Sequence, residues 1–487
     1  MPRLINKQYS VPFHLLRLYL LKRGSHCTPD HERYLISLLR HHPLRRPSLQ
    51  LHSHLVTSGL HRHHVSRRGI LLWNTLIYRY SLGSFPFESL QIYQHMLSFC
   101  TSDLPTDSFT FSFLIKACSS SASSPSPAGL QLHSLVLKNG FAFHIYVHTA
   151  LLGMYSARGA ISDACKAFDE IPDKNSVSWN AMVTGLAKLG EMQMAKSLFV
   201  RMPNPNVISW TGLIDGYTRV RNSEEALSLF RGMVTRGISP SEITVLAVIP
   251  AIFHLGALDM GETLHAYCMK LGFDLLDVRV ENSLIDMYAR CGSVENAVLK
   301  FDEMRERRNL VSWTSILTCF GMHGMAKEAV LIFERMGREN MKPNRVTFLS
   351  LLSACSHSGL VEEGVRFFRL MVDEHGVEPE TKHYSCLIDM LGRTGRLAEA
   401  EEMIGRMPVE VNVIVWRTLL GCCSKHGEVE MAWRVMRRIM ELERGYGGDY
   451  VVLSNLLTEV GRFAEAETVR RFLDENNAVK DTGLSLT

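Results

Sequence analysis

The chain has little net charge and no long apolar stretch, and each lack removes a class of protein. Over 487 residues, 53 basic and 49 acidic side chains leave a formal charge of +4. Even that small excess sits at one end. Residues 1–29 carry five Arg or Lys and no acid, residues 30–68 add seven basic against two acidic residues, and the remainder from 69 onward is at −6. A uniformly basic surface therefore cannot be the ground for a functional reading. No run of eighteen apolar residues occurs, which excludes a membrane-spanning helix. Strand signals are missing throughout, and there is neither a phosphate loop nor a G-x-S-x-G nucleophile turn. The eleven cysteines show no spacing of a secreted disulfide framework.

What is present is periodicity. Tryptophans at 210, 313 and 416 open the similar stretches VISWTGLIDGY, LVSWTSILTCF and VIVWRTLLGCC, each 103 residues from the next. A fixed period marks a solenoid, in which no unit buries its apolar face alone and neighbours stack into one core. The period subdivides into units at 207–241, 242–277 and 278–309, and the same three lengths return at 310–344, 345–380 and 381–412. Upstream lie 70–107, 108–144, 145–175 and an extra short unit, 176–206. Each unit reads as two helices. In 310–344, Trp313, Ile316 and Leu317, then Ala329, Ile332, Phe333 and Met336, fall at helical spacing on either side of Gly321 and Gly324. The class is all-α, an αα-hairpin repeat solenoid. Thr110, Ser178, Ser209, Thr244, Ser312 and Thr347 share one repeat position just before the apolar run and are expected to be helix N-caps. Trp on the apolar stripe is expected in the core. So are the thiols of Cys118, Cys355 and Cys423, and of Cys319 and Cys422 one position earlier.

The units resemble pentatricopeptide repeats, and their alternating lengths resemble the P, L and S types of the plant PLS subfamily. The resemblance rests on VSWNAMVTGLAKLGEM (177–192), NSLIDMYARCGSVENA (282–297), TFLSLLSACSHSGLVEEG (347–364) and YSCLIDMLGRTGRLAEAEEMIGRMP (384–408), and it covers about 70–487. It implies ten repeats over 70–412 in a right-handed superhelix. The segments 413–443 and 450–487 are similar to the paired E motifs that close one class of this family, so 413–487 is expected to be an E region. In that family the E motifs are associated with cytidine-to-uridine editing of organellar transcripts. The acid-free, Leu-rich residues 1–30 have the chemistry of an organellar transit peptide, mitochondrial by preference with the chloroplast as the alternative. Residues 31–69 resemble a degenerate repeat or cap, since LQLHSHLVTSGL (49–60) parallels LQLHSLVLKNGF (130–141), and the S-type unit that would follow is missing.

The resemblance also implies how RNA is read. Repeat arrays of this kind present one unpaired base per repeat to two or three side chains. In pentatricopeptide repeats the readers are the fifth and the last residue of each unit. Here those pairs are Asn74 with Asp107, Thr149 with Asn175, Asn180 with Asn206, Thr211 with Ser241, Asn282 with Asn309, Thr314 with Asn344, and Ser385 with Asn412. The L-type units depart from the pattern with Ser112 and His144, Leu246 and Asp277, and Leu349 and Glu380, and are expected to be spacers or weak readers. The family rule then gives 5′ U-n-A-Y-A-n-Y-A-n-A 3′, where n is any base and Y a pyrimidine. By the same resemblance the edited cytidine follows the final A and three further bases.

A zinc deaminase needs H-x-E and then P-C-x-x-C. His426, Gly427 and Glu428 supply the first half by spacing alone, and no cysteine follows Cys423. Cys422, Cys423 and His426 crowd one turn without a fourth ligand. The chain is therefore expected not to be an enzyme and to need no cofactor or metal. Three readings stand: an RNA-site recognition factor for editing, with a DYW-type cytidine deaminase and accessory editing factors supplied in trans; an RNA stabilisation, processing or splicing factor; and a protein-binding scaffold of the tetratricopeptide kind. The W-x2-L-G-x2-Y pattern of the last is absent.

Overall fold

The computed structural model describes residues 67–82, 86–99, 106–119, 128–141, 144–408, 410–443 and 446–475. The proposed transit segment 1–30 lies outside the described residues, as does the degenerate unit 31–69 apart from its last three. Among the described residues the regular elements are helices, with no strand.

Two compact units divide at Val248, inside the helix Glu242–His254. In the first, hairpins pair Arg67–Ser81 with Glu88–Phe99, Ser108–Ser119 with Ala128–Lys138, Ile145–Ala157 with Ile161–Asp169, Ser176–Lys188 with Met192–Arg201, and Val207–Arg219 with Ser223–Thr235. In the second, after Leu258–Leu271 and a single turn Phe273–Leu276, they pair Val278–Arg290 with Val294–Glu303, Leu310–Met322 with Ala326–Arg338, Arg345–Ser358 with Val361–Arg369, and Thr381–Arg393 with Leu397–Gly405. Val413–His426 with Val429–Leu442 and Gly447–Glu459 with Phe463–Glu475 complete it. Within each unit every first helix packs on the next first helix, and the second helices lie behind them. The positions expected to read bases all fall on or just before first helices, so in each compact unit one layer carries them.

The layers are joined by the aromatic stripe that the sequence places on the first helices. Trp179, Trp210 and Trp313 each meet a Phe of the preceding second helix edge-on, Phe168, Phe199 and Phe301 at 5.0, 4.6 and 5.0 Å between ring centroids. Such pairs add about 0.5–1.5 kcal/mol beyond the area they bury. This location removes Trp as a base-stacking platform. First helices also approach closely: a Cβ on Gly216 would lie 2.7 Å from the Ala187 Cβ, so only glycine fits there. The shared-position thiols are buried as expected, and burial pushes Cys319 and Cys423 up to about 12 and Cys355 to about 11. At neutral pH they stay protonated and inert.

Among the described residues, each hairpin turn from Gly159 onward takes a left-handed residue. Gly159, Gly190, Gly292, Gly324, Gly395, Gly427 and Gly461 supply it with φ between 65° and 84°, but in the hairpin Val207–Thr235 the place belongs to Arg221 at φ 58°. A side chain in that region costs roughly 1–2 kcal/mol, partly offset by the greater freedom glycine has when unfolded. Arg221→Gly is expected to raise stability by about 0.5–1 kcal/mol in urea denaturation. A neutral or destabilising result would show that Arg221 gains contacts worth more than the strain.

Candidate nucleic-acid interface

The last residue of each reading unit begins the next first helix. Asn175 Oδ1 accepts from the backbone N–H groups of Val177 and Ser178, both at 3.0 Å, and Asn206 Oδ1 from those of Ile208 and Ser209 at 3.1 and 3.2 Å. Asn309, Asn344 and Asn412 accept from Ser312, Thr347 and Val415 at 3.0, 2.9 and 3.2 Å. Asp107 and Ser241 accept from the Thr110 and Thr244 N–H groups at 2.8 and 3.4 Å. These residues are the N-caps. The hydroxyls expected in that role, Thr110, Ser178, Ser209, Thr244, Ser312 and Thr347, sit three residues further on and are fully buried. The reason is reciprocity: from the third helical position a hydroxyl accepts from the cap's own N–H, as Ser209, Ser312 and Thr347 do from Asn206, Asn309 and Asn344 at 2.9, 3.1 and 3.1 Å. The arrangement is a capping box with a hydroxyl in place of the usual Glu.

The same buried hydroxyls tie the caps to the fifth residues of the preceding unit. Asn74 Nδ2 donates to Asp107 Oδ1 at 2.8 Å while the Thr110 hydroxyl donates to Asn74 Oδ1 at 2.6 Å. Asn282 Nδ2 donates to Asn309 Oδ1 at 3.3 Å, and Ser312 donates to Asn282 Oδ1 at 2.7 Å. Thr211 and Ser241 both meet the Thr244 hydroxyl, at 2.6 and 3.1 Å. Three pairs are thus brought together. The hydroxyls of Thr149, Thr314 and Ser385 instead donate to carbonyls of their own helices, Ile145, Val311 and Thr381, at 2.8, 2.9 and 3.0 Å. Asn180, 7% exposed, is near Asn206 in sequence register but keeps a buried Oδ1 without a hydrogen-bond partner.

The L-type positions are closed differently. Leu246 and Leu349 are half-buried. The Asp277 carboxylate pairs with Arg279 at 2.6 Å, and that hydrogen bond holds its carboxyl below the usual range. Glu380 pairs with Arg345 at 2.8 Å. The Ser112 hydroxyl donates to the Ser108 carbonyl at 2.7 Å, and the His144 ring lies 5.7 Å from Tyr146.

Two rows beside the polar pairs were not singled out from sequence. The second residue of most first helices is apolar yet exposed: Phe109, Tyr146, Val177, Ile208, Ile243, Val311, Val346 and Ile414. At 3.6 residues per turn it stands about 200° around the helix from the buried fourth residue. An apolar side chain off the core stripe is the signal that would have found it. At the other end of the first helices, Arg219, Arg290 and Arg393 are each held by an aspartate four residues earlier, Asp215, Asp286 and Asp389, at 2.8, 3.0 and 2.8 Å. The rows meet in a cavity of about 450 Å³, where Thr211 and Ser241 lie with Ile208, Ile243, Lys188 and Arg219.

His426, Gly427 and Glu428 form the turn between Val413–His426 and Val429–Leu442, with Gly427 left-handed at φ 74°. The glycine serves the helix end, which accounts for the H-x-E spacing. Among the described residues no group of three or more His, Cys, Asp and Glu is arranged to hold a metal.

Stacked helical hairpins whose first helices begin on polar capping residues define a helical-repeat class. Family models for the PPR repeat match residues 177–206, 282–309, 346–375 and 382–410, the PPR repeat family model matches 205–253 and 308–357, and the E motif model matches 426–487. The chain is 48% identical to the mitochondrial pentatricopeptide repeat-containing protein At1g09220 of Arabidopsis thaliana, over 90% of this chain and 89% of that one. It is 35% identical to the chloroplastic pentatricopeptide repeat-containing protein CRR2 of the same plant, over 86% of this chain and 59% of that one. The chain belongs to the pentatricopeptide repeat proteins, in the PLS subfamily with an E motif. Among solved structures it is similar to the pentatricopeptide repeat protein PPR10 from maize, at 18% identity and a TM-score of 0.44, over 96% of this chain and 82% of that one.

Proposed function

We propose that this protein binds single-stranded organellar RNA in a sequence-specific way and marks a cytidine for editing by a deaminase supplied in trans. The observation that carries the reading is the cavity at Thr211 and Ser241. It offers two exposed apolar side chains, Ile208 and Ile243, for the faces of a base, polar groups for its edge, and Lys188, beside the Asp215–Arg219 ion pair, for its phosphate. Unstacked bases are recognised in this manner, by contacts to their faces together with hydrogen bonds to the Watson–Crick edge. Asn180 supports it independently, because its buried acceptor lacks a partner that a base N–H would supply. The E motif and the organelle in the relatives' names support editing and an organellar site, the mitochondrion by the first of them. Neither calls for catalytic residues in this chain.

Changing Asn344 to Asp tests the reading at one unit. An acceptor-only carboxylate replaces an amide that also donates, so the preference opposite Thr314 and Asn344 is expected to move from A to G. The shift should be about tenfold, the lower part of what one good base contact discriminates. Equilibrium binding to RNAs varied at that base checks it. An unchanged preference, with helicity intact, removes Thr314 and Asn344 from the readers.

A further inference from the structure

The helix after the last reading unit repeats the reading geometry with different chemistry. Arg417 is the fifth residue of Val413–His426, the place that Asn282 holds in Val278–Arg290. Tyr446 is the N-cap of Gly447–Glu459, the place of Asn309, and Asp449 is its third residue, the place of Ser312. Where Ser312 makes one neutral hydrogen bond to Asn282 at 2.7 Å, the Arg417 guanidinium donates to both oxygens of Asp449, at 2.8 and 2.9 Å. Asp449 is 4% exposed. Glu443 adds a second carboxylate at 3.2 Å, and the Tyr446 ring lies 4.3 Å from the guanidinium carbon.

This arrangement leaves no small amide or hydroxyl facing a base edge. Among the described residues the one cation is shared by two carboxylates, so the Arg417 guanidinium is already neutralised and not open to a phosphodiester. Prising Arg417 away would leave Asp449 buried without its counter-charge, which bidentate pairing resists. We propose that Arg417, Tyr446 and Asp449 form a closed reader that ends base reading at Ser385 and Asn412 and keeps the hairpin 413–443 free of sequence-dependent RNA contact. The inference rests on the reading proposed above: the base immediately 3′ of the final A passes this unit unread.

The test uses the full chain and synthetic RNAs carrying U-n-A-Y-A-n-Y-A-n-A followed by each of the four bases. Wild-type affinity should vary by less than about twofold with that last base, since unpaired backbone contact carries no sequence information. The triple variant Arg417→Asn, Tyr446→Asn, Asp449→Ser reproduces the Asn282, Asn309 and Ser312 set and should gain a pyrimidine preference of about five- to tenfold there, the low end of a base contact. Wild-type discrimination of that size at this base overturns the proposal, as does a helical triple variant that discriminates no better than wild type. Should the triple variant lose its far-ultraviolet helical signal, the wild-type scan decides alone. An array that also fails to discriminate opposite Thr314 and Asn344 overturns the reading itself, and the closed reader with it.

Discussion

Replacing Lys300 with Met is expected to remove about 2–3 kcal/mol of stability, less than the roughly 3–5 kcal/mol of a buried charge stripped of every partner, because Arg307 still faces Glu281. The reason lies in the fourth residue of Val278–Arg290. Trp179, Trp210 and Trp313 hold that place in other first helices, but here it is Glu281, whose side chain is fully buried. Lys300, 2% exposed, stands 3.7 Å from it on the partner helix Val294–Glu303, and Arg307 approaches to 3.0 Å. With Met in place of Lys300, the carboxylate faces apolar surface on one side and a half-exposed arginine on the other. Adding Glu281→Leu should recover most of the loss, because apolar replacement of a buried pair is often neutral or better. Urea denaturation of the wild type and the two variants decides it. A loss below about 1 kcal/mol for Lys300→Met would place the pair in the range of solvated surface ion pairs and contradict this account.

Removing residues 447–487 is expected to abolish editing while leaving RNA affinity within about twofold, since each repeat contacts only its neighbours and every proposed reader lies upstream. The position of the cut matters. Val413–His426 packs on Thr381–Arg393, and its Val415, Leu419 and Leu420 are buried. A cut before 413 would therefore expose the end of the core, so 413–443 is retained as a cap. Editing of the target cytidine in a complemented loss-of-function line, with binding by the purified truncated chain, measures both quantities. Editing retained by the truncated chain would make 447–487 dispensable for it, and unaltered editing in the uncomplemented loss-of-function line would assign the protein to RNA stabilisation or processing instead. Loss of binding together with editing in a folded truncation would place RNA contacts in the E region.

The fold was legible because a repeat states its pattern many times. The tryptophan stripe and the inter-helix glycines each recur at fixed offsets, and a single lapse such as Arg221 stands out against them. The caps were legible only in part. In N-x-x-S both Asn and Ser are good capping residues, and periodicity alone does not say which one precedes the first helical turn. The buried hydroxyls that link Asn74 to Asp107 and Asn282 to Asn309, Thr110 and Ser312, come from the following unit, so no local pattern shows the link. The exposed second residue was hidden for a different reason: Val, Ile, Phe and Tyr next to an apolar helix are counted as core unless the helical angle is followed around. Glu281, Lys300 and Arg307 were missed because nothing in the sequence brings the three together.

The most direct measurement is competitive binding of the purified chain to U-n-A-Y-A-n-Y-A-n-A RNA against an RNA with purines and pyrimidines exchanged at the seven specified positions. One good contact discriminates by about 1–3 kcal/mol in duplex readout, and seven weaker ones acting together should still favour the first RNA by at least about a hundredfold. Equal affinity for the two RNAs would contradict the assignment of the seven pairs as base readers.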